Sequence, residues 1–244
     1  MSRSTLRFVL LQARNPGDRV RGEEREQFAA RMKVPAERIE PVSMLDGPVG
    51  AEVLERCDML LVGGSGEYSV KDDDPRIDAA KVFLAEVALL GFPTFASCFG
   101  YQLMVEGLGG RVEKDEENAE VGSFHLELTD DGAEDPVFSS LGRAFTAQLG
   151  HKDRATVLPD EVVNLARSKA CPHQALKVRG KPVYAAQFHP ELTWTDNRGR
   201  FERYMDDYGR VFGLVEAARM LEEDFFPSPG ASALLDVFLK VHFE

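Results

Sequence analysis

The chain has 244 residues, 43% of them hydrophobic and 29% charged, with a net charge of -12. That balance suits one large α/β domain, or one domain with a small appendage, and a chain this acidic with no basic stripe argues against nucleic acid as a direct partner, because a phosphate backbone is held by clustered Lys and Arg. The apolar run from Phe8 to Leu11 is too short for a signal-peptide core, and no stretch approaches the ~20 apolar residues of a membrane span, so a soluble cytoplasmic protein without membrane contact is expected.

Leu6 to Leu11 is a near-continuous apolar run, the pattern of a strand covered on both faces. Asn15-Pro16-Gly17-Asp18 is a loop, Glu23 to Met32 a helix and Ile39 to Val42 a second strand. Val49 to Arg56 is predicted as a helix with Val53, Leu54 and Cys57 facing in, and Met59 to Val62 as a buried strand ended by Gly63-Gly64-Ser65-Gly66. Asp74 is a good N-cap and Pro75 a good first helical residue for a helix running to about Leu90 and stopping at Gly91. Phe92 to Ser97 is a strand, Cys98-Phe99-Gly100 a sharp turn, and Tyr101 to Leu108 a helix. Strand and helix alternate from residue 6 to residue 108, which predicts a doubly wound parallel sheet.

Beyond residue 110, Val121 to Leu128, Ala144 to Leu149, Val162 to Ala166 and Val183 to Phe188 are strand-like, with Asp- and Gly-rich turns between them, and predict antiparallel pieces and edge strands. After Trp194 the pattern is helical again over Arg198 to Phe212, Val215 to Glu222 and Ala231 to Val241. Residues 1–194 are therefore expected to form the domain, and residues 195–244 a helical extension packed on it. These helices are candidates for covering the sheet or for a homo-oligomer contact.

The three cysteines, Cys57, Cys98 and Cys171, are widely spaced and include no C-x-x-C, so neither a disulfide framework nor a zinc site is expected. Cys98 stands apart. In Ala96-Ser97-Cys98-Phe99-Gly100-Tyr101-Gln102 a strand ends, a tight turn presents one nucleophile and a helix begins, which is the layout of a nucleophile elbow. Such a turn exposes the side chain at the carboxyl edge of the sheet. The positive end of the next helix favours a thiolate, and the amides just after the nucleophile are free to receive an oxyanion.

Phe188-His189-Pro190-Glu191 follows the strand that should deliver His189 to the same edge. A thiol needs a base, and the base needs an orienting acceptor, here Glu191. The Gly63-to-Val70 loop is glycine-rich but is not a phosphate loop, because no Gly-Lys-Ser/Thr follows.

Taken in order, Gly63-Gly64, Cys98-Phe99-Gly100-Tyr101-Gln102 and His189-Pro190-Glu191 resemble the class I (triad-type) glutamine amidotransferase family, in particular the glutaminase part of its GMP-synthetase branch, over roughly residues 6–194. His151-Lys152-Asp153, with Glu120 and Gly122, is similar to further segments of that branch. The resemblance implies a flavodoxin-like, doubly wound, mostly parallel sheet with an antiparallel edge and C-terminal helices.

It also implies Cys98 as nucleophile, His189 as general base and acid, Glu191 as the residue orienting it, and the amides of Gly64 and Phe99 as the oxyanion hole. Gln102, Ser65 and Gly66 would hold the substrate, and His151 and Asp153 would line the pocket or meet a partner. The chain departs from the family at Ala96, where glycine is usual, at Tyr101, where histidine is common, and in the longer, polar loop Ser65-Gly66-Glu67-Tyr68.

The implied reaction is hydrolysis of a glutamine-type amide through a γ-glutamyl thioester, with no metal or organic cofactor. No nucleotide motif follows residue 194, so the ammonia would pass to a separate synthetase or other acceptor. The alternatives are a stand-alone γ-glutamyl peptide or amide hydrolase and a non-catalytic binding or regulatory relative.

Blander roles are expected elsewhere. Cys57 is a core residue, Cys171 incidental in a loop, His125 and His173 structural, and His242 solvated. Asp72-Asp73-Asp74 is a helix cap rather than a metal site, and Trp194 a packing lid.

Overall fold

The computed structural model describes residues 3–244. In chain order the strands are β1 (Phe8–Gln12), β2 (Ile39–Ser43), β3 (Met59–Val62), β4 (Thr94–Ser97), β5 (Arg111–Lys114), β6 (Glu120–Leu128), β7 (Ala144–His151), β8 (Asp153–Val157), β9 (Val162–Arg167), β10 (Ala175–Val178) and β11 (Val183–Ala186). The α-helices are α1 (Val20–Met32), α2 (Pro75–Leu90), α3 (Phe99–Gly107), α4 (Asp130–Glu134), α5 (Trp194–Arg203), α6 (Met205–Phe212), α7 (Leu214–Glu223) and α8 (Pro229–Phe243).

Strand β1 is buried along its whole length, and its pleat divides the core. Phe8 and Leu10 face one apolar layer with Phe28 of α1 and Phe238 of α8, while Val9 and Leu11 face the other with Leu84 of α2 and Leu103 of α3. That alternation is why the sequence reads as an unbroken apolar run: both faces of the sheet are covered by helices. Strands β2, β1, β3, β4 and β11 are parallel neighbours in that order. Strands β10, β9, β6 and β7 extend the same sheet in antiparallel fashion. This is the flavodoxin-like α/β arrangement with an antiparallel edge. Pro41 lies in β2, the outer strand of the parallel end, where a missing N–H costs no ladder bond on the open side.

Helix α2 begins as its sequence dictates. The Asp74 carboxylate accepts the Arg76 N–H, Pro75 takes the first turn, and Gly91 closes the helix in the left-handed region at φ 76°.

The C-terminal helices divide. Helix α8 packs into the core, where Phe238 meets Phe95 and Tyr184 edge to face at 5.9 and 5.5 Å. Helices α5 to α7 gather around a small separate cluster of Phe201, Ala217, Met220 and Phe225 against Val121 of β6.

Four features differ from the sequence reading. The segment before β3 is a 3-10 turn over Ala51–Arg56, not an α-helix. It buries Val53 and Cys57 but leaves Leu54 half-exposed. The helix expected from Arg198 to Phe212 breaks at Tyr204, which leaves helical geometry (φ -100°, ψ 22°) and shares its N–H between the Arg200 and Phe201 carbonyls. Strands β5, β8 and β10 were not foreseen. The first two pair as a ribbon that buries only Val112 and Ala155, too few apolar positions to leave a pattern. His242 is half-buried against Phe238 and Tyr184, and burial lowers its pKa.

If α8 belongs to the folding core, Phe238→Ala should cost about 3–5 kcal/mol, read as a lower urea midpoint with the unfolding transition still single.

Candidate active site

Strand β4 ends at Ser97, and the next residue is forced into an unusual backbone. The Cys98 N–H donates to the Ala186 carbonyl at 2.8 Å, continuing the β4–β11 ladder by one bond. Cys98 itself sits at φ 51°, ψ -103°, a conformation that costs a residue with a Cβ roughly 1–3 kcal/mol. Helix α3 starts at once with Phe99. The turn is pressed onto β3, since a Cβ on Gly100 would lie 2.7 Å from Val62 Cγ1. Only glycine allows that approach, which makes the residue types of the elbow a steric necessity.

Strand β11 runs parallel beside β4, so the chain leaving it emerges at the same edge. His189 follows three residues after Ala186 and is fixed by its N–H to the Gln148 carbonyl at 2.9 Å. Its Nδ1 pairs with Glu191 Oε1 at 2.6 Å, and the imidazole stands within electrostatic reach of the Cys98 sulfur. All three side chains are buried. Burial opposes charge on His189, but the facing Glu191 carboxylate and the Cys98 sulfur outweigh it and lift the imidazole to about 9. Burial likewise opposes charge on Glu191, yet the imidazole beside it holds its carboxyl below the ordinary range.

Gly64 ends the β3 loop directly over this pair. A Cβ there would stand 2.9 Å from His189 Cε1 and 3.6 Å from Cys98 Cβ. Among the described residues the amides of Gly64 and Phe99 have no backbone acceptor, Phe99 because it opens a helix. The structure thus brings Cys98, His189, Glu191, Gly64 and Phe99 together.

Of these, Cys98, Phe99 and His189 border a cavity of about 310 Å³ that Ser65, Gly66, Gln102, His151 and Asp153 also line. Gln102 donates its amide to the Asp153 carbonyl at 2.9 Å and to Gln187 Oε1 at 3.1 Å. Ser65 Oγ accepts the Tyr68 N–H at 3.0 Å. His151 Nε2 lies 3.2 Å from the buried Glu120 carboxylate, which also accepts from Gln174 at 2.6 Å. Asp153 accepts a hydrogen bond from Ser69.

The departures at Ala96 and Tyr101 fit the packing. Ala96 is buried between β3 and β11, and Tyr101 is buried with its hydroxyl donating to the His173 carbonyl at 2.8 Å. Cys57 and Cys171 are both buried away from the cavity, and burial pushes their thiols up to about 11 and about 12. Cys171 is thus a core residue, not an incidental one. Among the described residues no group of three or more His, Cys, Asp or Glu side chains is placed to hold a metal, and no helix is long and apolar enough to cross a membrane.

Several residues beside the thiol or along the cavity escaped the sequence reading. Gln187 aims its amide at Cys98 Sγ at 3.7 Å. Arg14 enters from the end of β1, and Asn197, Arg200, Tyr204 and Tyr208 come from the α5–α6 segment. The last four recur every three or four positions, so one helical face was legible, but nothing local marked it as facing a cavity. The cover over the cavity is therefore Tyr204 and Tyr208, not Trp194, which does not line it and is 37% exposed.

The family model described as glutamine amidotransferase class-I matches residues 49–204. The chain belongs to the class-I glutamine amidotransferases. It is 39% identical over 135 residues to a glutamine-hydrolyzing GMP synthase of Desulfotalea psychrophila, covering 54% of this chain but only 24% of that protein. To one subunit of the glutamine-hydrolyzing GMP synthase of Methanothermobacter thermautotrophicus it is 31% identical over 176 residues, which is 72% of this chain and 86% of that protein. The chain thus spans about a quarter of the first relative and most of the second.

A solved glutamine amidotransferase of Thermotoga maritima superposes with a TM-score of 0.70 at 16% identity, over 98% of this chain and 99% of that one, which is a likeness of fold. As a class-I glutamine amidotransferase this protein is a cysteine amidohydrolase, and the buried thiol–imidazole–carboxylate series occupies the carboxyl edge of its sheet.

The lifted imidazole has a consequence for stability. His189 at about 9 in the fold, against about 6.5 unfolded, contributes stability that is complete below about pH 6.5 and lost as pH rises through about 9. Urea midpoints measured from pH 6 to 10 should fall more steeply for the natural protein than for His189→Gln.

Proposed function

We propose that this amidotransferase hydrolyses the side-chain amide of glutamine through a Cys98 thioester and passes the ammonia to a separate synthetase. The reading rests on one observation: Cys98 and the His189–Glu191 hydrogen-bonded pair adjoin a cavity, beside two unpaired backbone amides, those of Gly64 and Phe99. The cavity volume of about 310 Å³ lies at the small end of small-molecule pockets, a size for an amino-acid amide. The Methanothermobacter relative is one part of a glutamine-hydrolyzing GMP synthase, and similarity to it over most of its length supports the separate synthetase.

In this mechanism Cys98 Sγ, having given its proton to His189, attacks the amide carbon. The Gly64 and Phe99 amides take the charge that moves onto oxygen. The intermediate collapses with C–N cleavage, and the His189 imidazolium gives its proton to the departing nitrogen, releasing ammonia and leaving a γ-glutamyl thioester. Water, deprotonated by His189, attacks the thioester carbon, and glutamate leaves as the thiol is re-formed. Glu191 keeps the imidazole oriented and stabilises the imidazolium each time it forms. Gln102, Ser65 and Gly66 shape the glutamyl end of the pocket, and His151 with Asp153 its far wall.

A second reading, a stand-alone γ-glutamyl hydrolase, is favoured by one feature. This chain's own α5–α6 segment supplies part of the cavity lining, so that wall is built without a partner.

Cys98→Ala should lose glutaminase turnover by roughly 10⁴-fold or more, and a glutamine-like diazoketone should label the natural protein at Cys98. Absence of both turnover and labelling on glutamine and γ-glutamyl peptides would sink the enzymatic reading, and strong peptide cleavage with negligible glutaminase activity would select the second.

The pH profile offers a separate check. Ammonia expulsion needs protonated His189, so kcat/KM should fall as pH rises through about 9. Glu191→Gln removes the carboxylate that raises the imidazole. It should lower turnover by about 10²- to 10⁴-fold and move that alkaline limb to lower pH.

A further inference from the structure

Two guanidinium groups border the cavity, and they are not equivalent. Arg14 is buried, but its charge is answered: Nη2 pairs with the fully buried Glu24 at 3.0 Å, and Asp18 stands 3.9 Å from Nη1. Arg200, on α5, is only 9% exposed. Its Nη2 donates to the neutral Gln27 Oε1 at 2.6 Å, and its Nε has no hydrogen-bond partner among the described residues. Arg14 Nε is likewise unpartnered. Tyr204 stands within electrostatic reach of both, half-buried at the break between α5 and α6. A desolvated guanidinium that carries its charge without a carboxylate partner is costly to keep. Its planar fork matches a carboxylate. The wall that holds it faces the space beside Cys98.

We propose that Arg200, assisted by Arg14 and the Tyr204 hydroxyl, receives the free α-carboxylate of the γ-glutamyl substrate and so sets which amides the site accepts. The proposal rests on the amidohydrolase reading above. The carboxylate supplies the partner that the buried cation lacks, and it fixes the glutamyl chain with its side-chain amide directed to Cys98. Amides without that carboxylate leave Arg200 buried and unpaired, which is how a site built around a polar group rejects an analogue lacking it. Arg200 also acts electrostatically on Glu191, so a purely positioning role predicts a different result and must be separated.

The test compares glutamine with 4-aminobutanamide, which is glutamine without its α-carboxylate, in the natural protein, Arg200→Met and Arg200→Lys. The natural protein should prefer glutamine. Arg200→Met should lose about 10- to 100-fold of that preference, mainly through a higher KM for glutamine, with the alkaline limb of kcat/KM still near 9. Arg200→Lys, which keeps the charge but not the fork, should recover part of the preference.

A preference ratio that stays at its natural value in both variants overturns the proposal. So does a shifted alkaline limb with an unchanged KM, which would mean that Arg200 acts only through Glu191. If Arg200→Met does not fold, shown by loss of its urea transition, the Lys variant carries the test: an intermediate ratio supports the proposal and a natural ratio overturns it. Failure of the natural protein to turn over any γ-glutamyl compound, with Cys98 unlabelled by the diazoketone, is a distinct result that takes down the enzymatic reading and this proposal with it.

Discussion

The pairing of β4 with β11 is the constraint on which the rest depends. Residue for residue, Val183 to Ala186 lie beside Thr94 to Ser97, and the Cys98 N–H adds one more bond to the Ala186 carbonyl. That register decides that a thiol at position 98 and an imidazole at position 189 leave the sheet at the same level. A slip of one residue would turn each side chain to the opposite face. The strain at Cys98 and the close seat of Gly100 on Val62 are tolerated because two neighbouring strands hold the turn from both sides.

Within that frame the site is an arrangement of buried charge. The 2.6 Å contact from His189 to Glu191 and the nearby Cys98 sulfur make the imidazole more basic than burial alone would allow. The pocket wall adds a second such arrangement in Glu120, His151 and Gln174, where a buried carboxylate is again answered by an imidazole and an amide. Arg200 differs from both. Its hydrogen-bond partner is neutral, so its charge is balanced only at a distance.

Much of this was legible in the sequence where local chemistry and long-range order agree. The parallel half announced itself through β1, β3 and β4, whose apolar runs end in Gly63-Gly64 and Cys98-Phe99-Gly100, turns that sterics dictate. That Cys98 and His189 come together was legible because each follows a strand that ends at the same sheet edge. Strands β5, β8 and β10 were missed because they are short and, in the ribbon, bury one side chain apiece. Gln187 was missed because nothing local marks an amide that will face a sulfur 89 positions earlier. The reciprocal cap of Thr193 with Asp196 was a readable start signal for α5, two residues beyond the His189-Pro190-Glu191 segment.

The α5–α6 segment shows why polar periodicity deserves the same reading as apolar periodicity. A helix whose polar residues recur every three or four positions ordinarily turns them to water. Here α5 buries Phe201 in a small cluster with Phe225 and Met220, and that anchoring turns Asn197 and Arg200 inward over the cavity. The break at Tyr204 then bends the chain so that Tyr208 continues the roof and Lys152 lies 5.9 Å from its ring. Burial along this wall strengthens the electrostatic contacts of the groups it holds. The same packing leaves Arg200 buried beside a neutral partner, so a single stretch of helix supplies both part of the cavity wall and a cation that no hydrogen-bonded carboxylate answers.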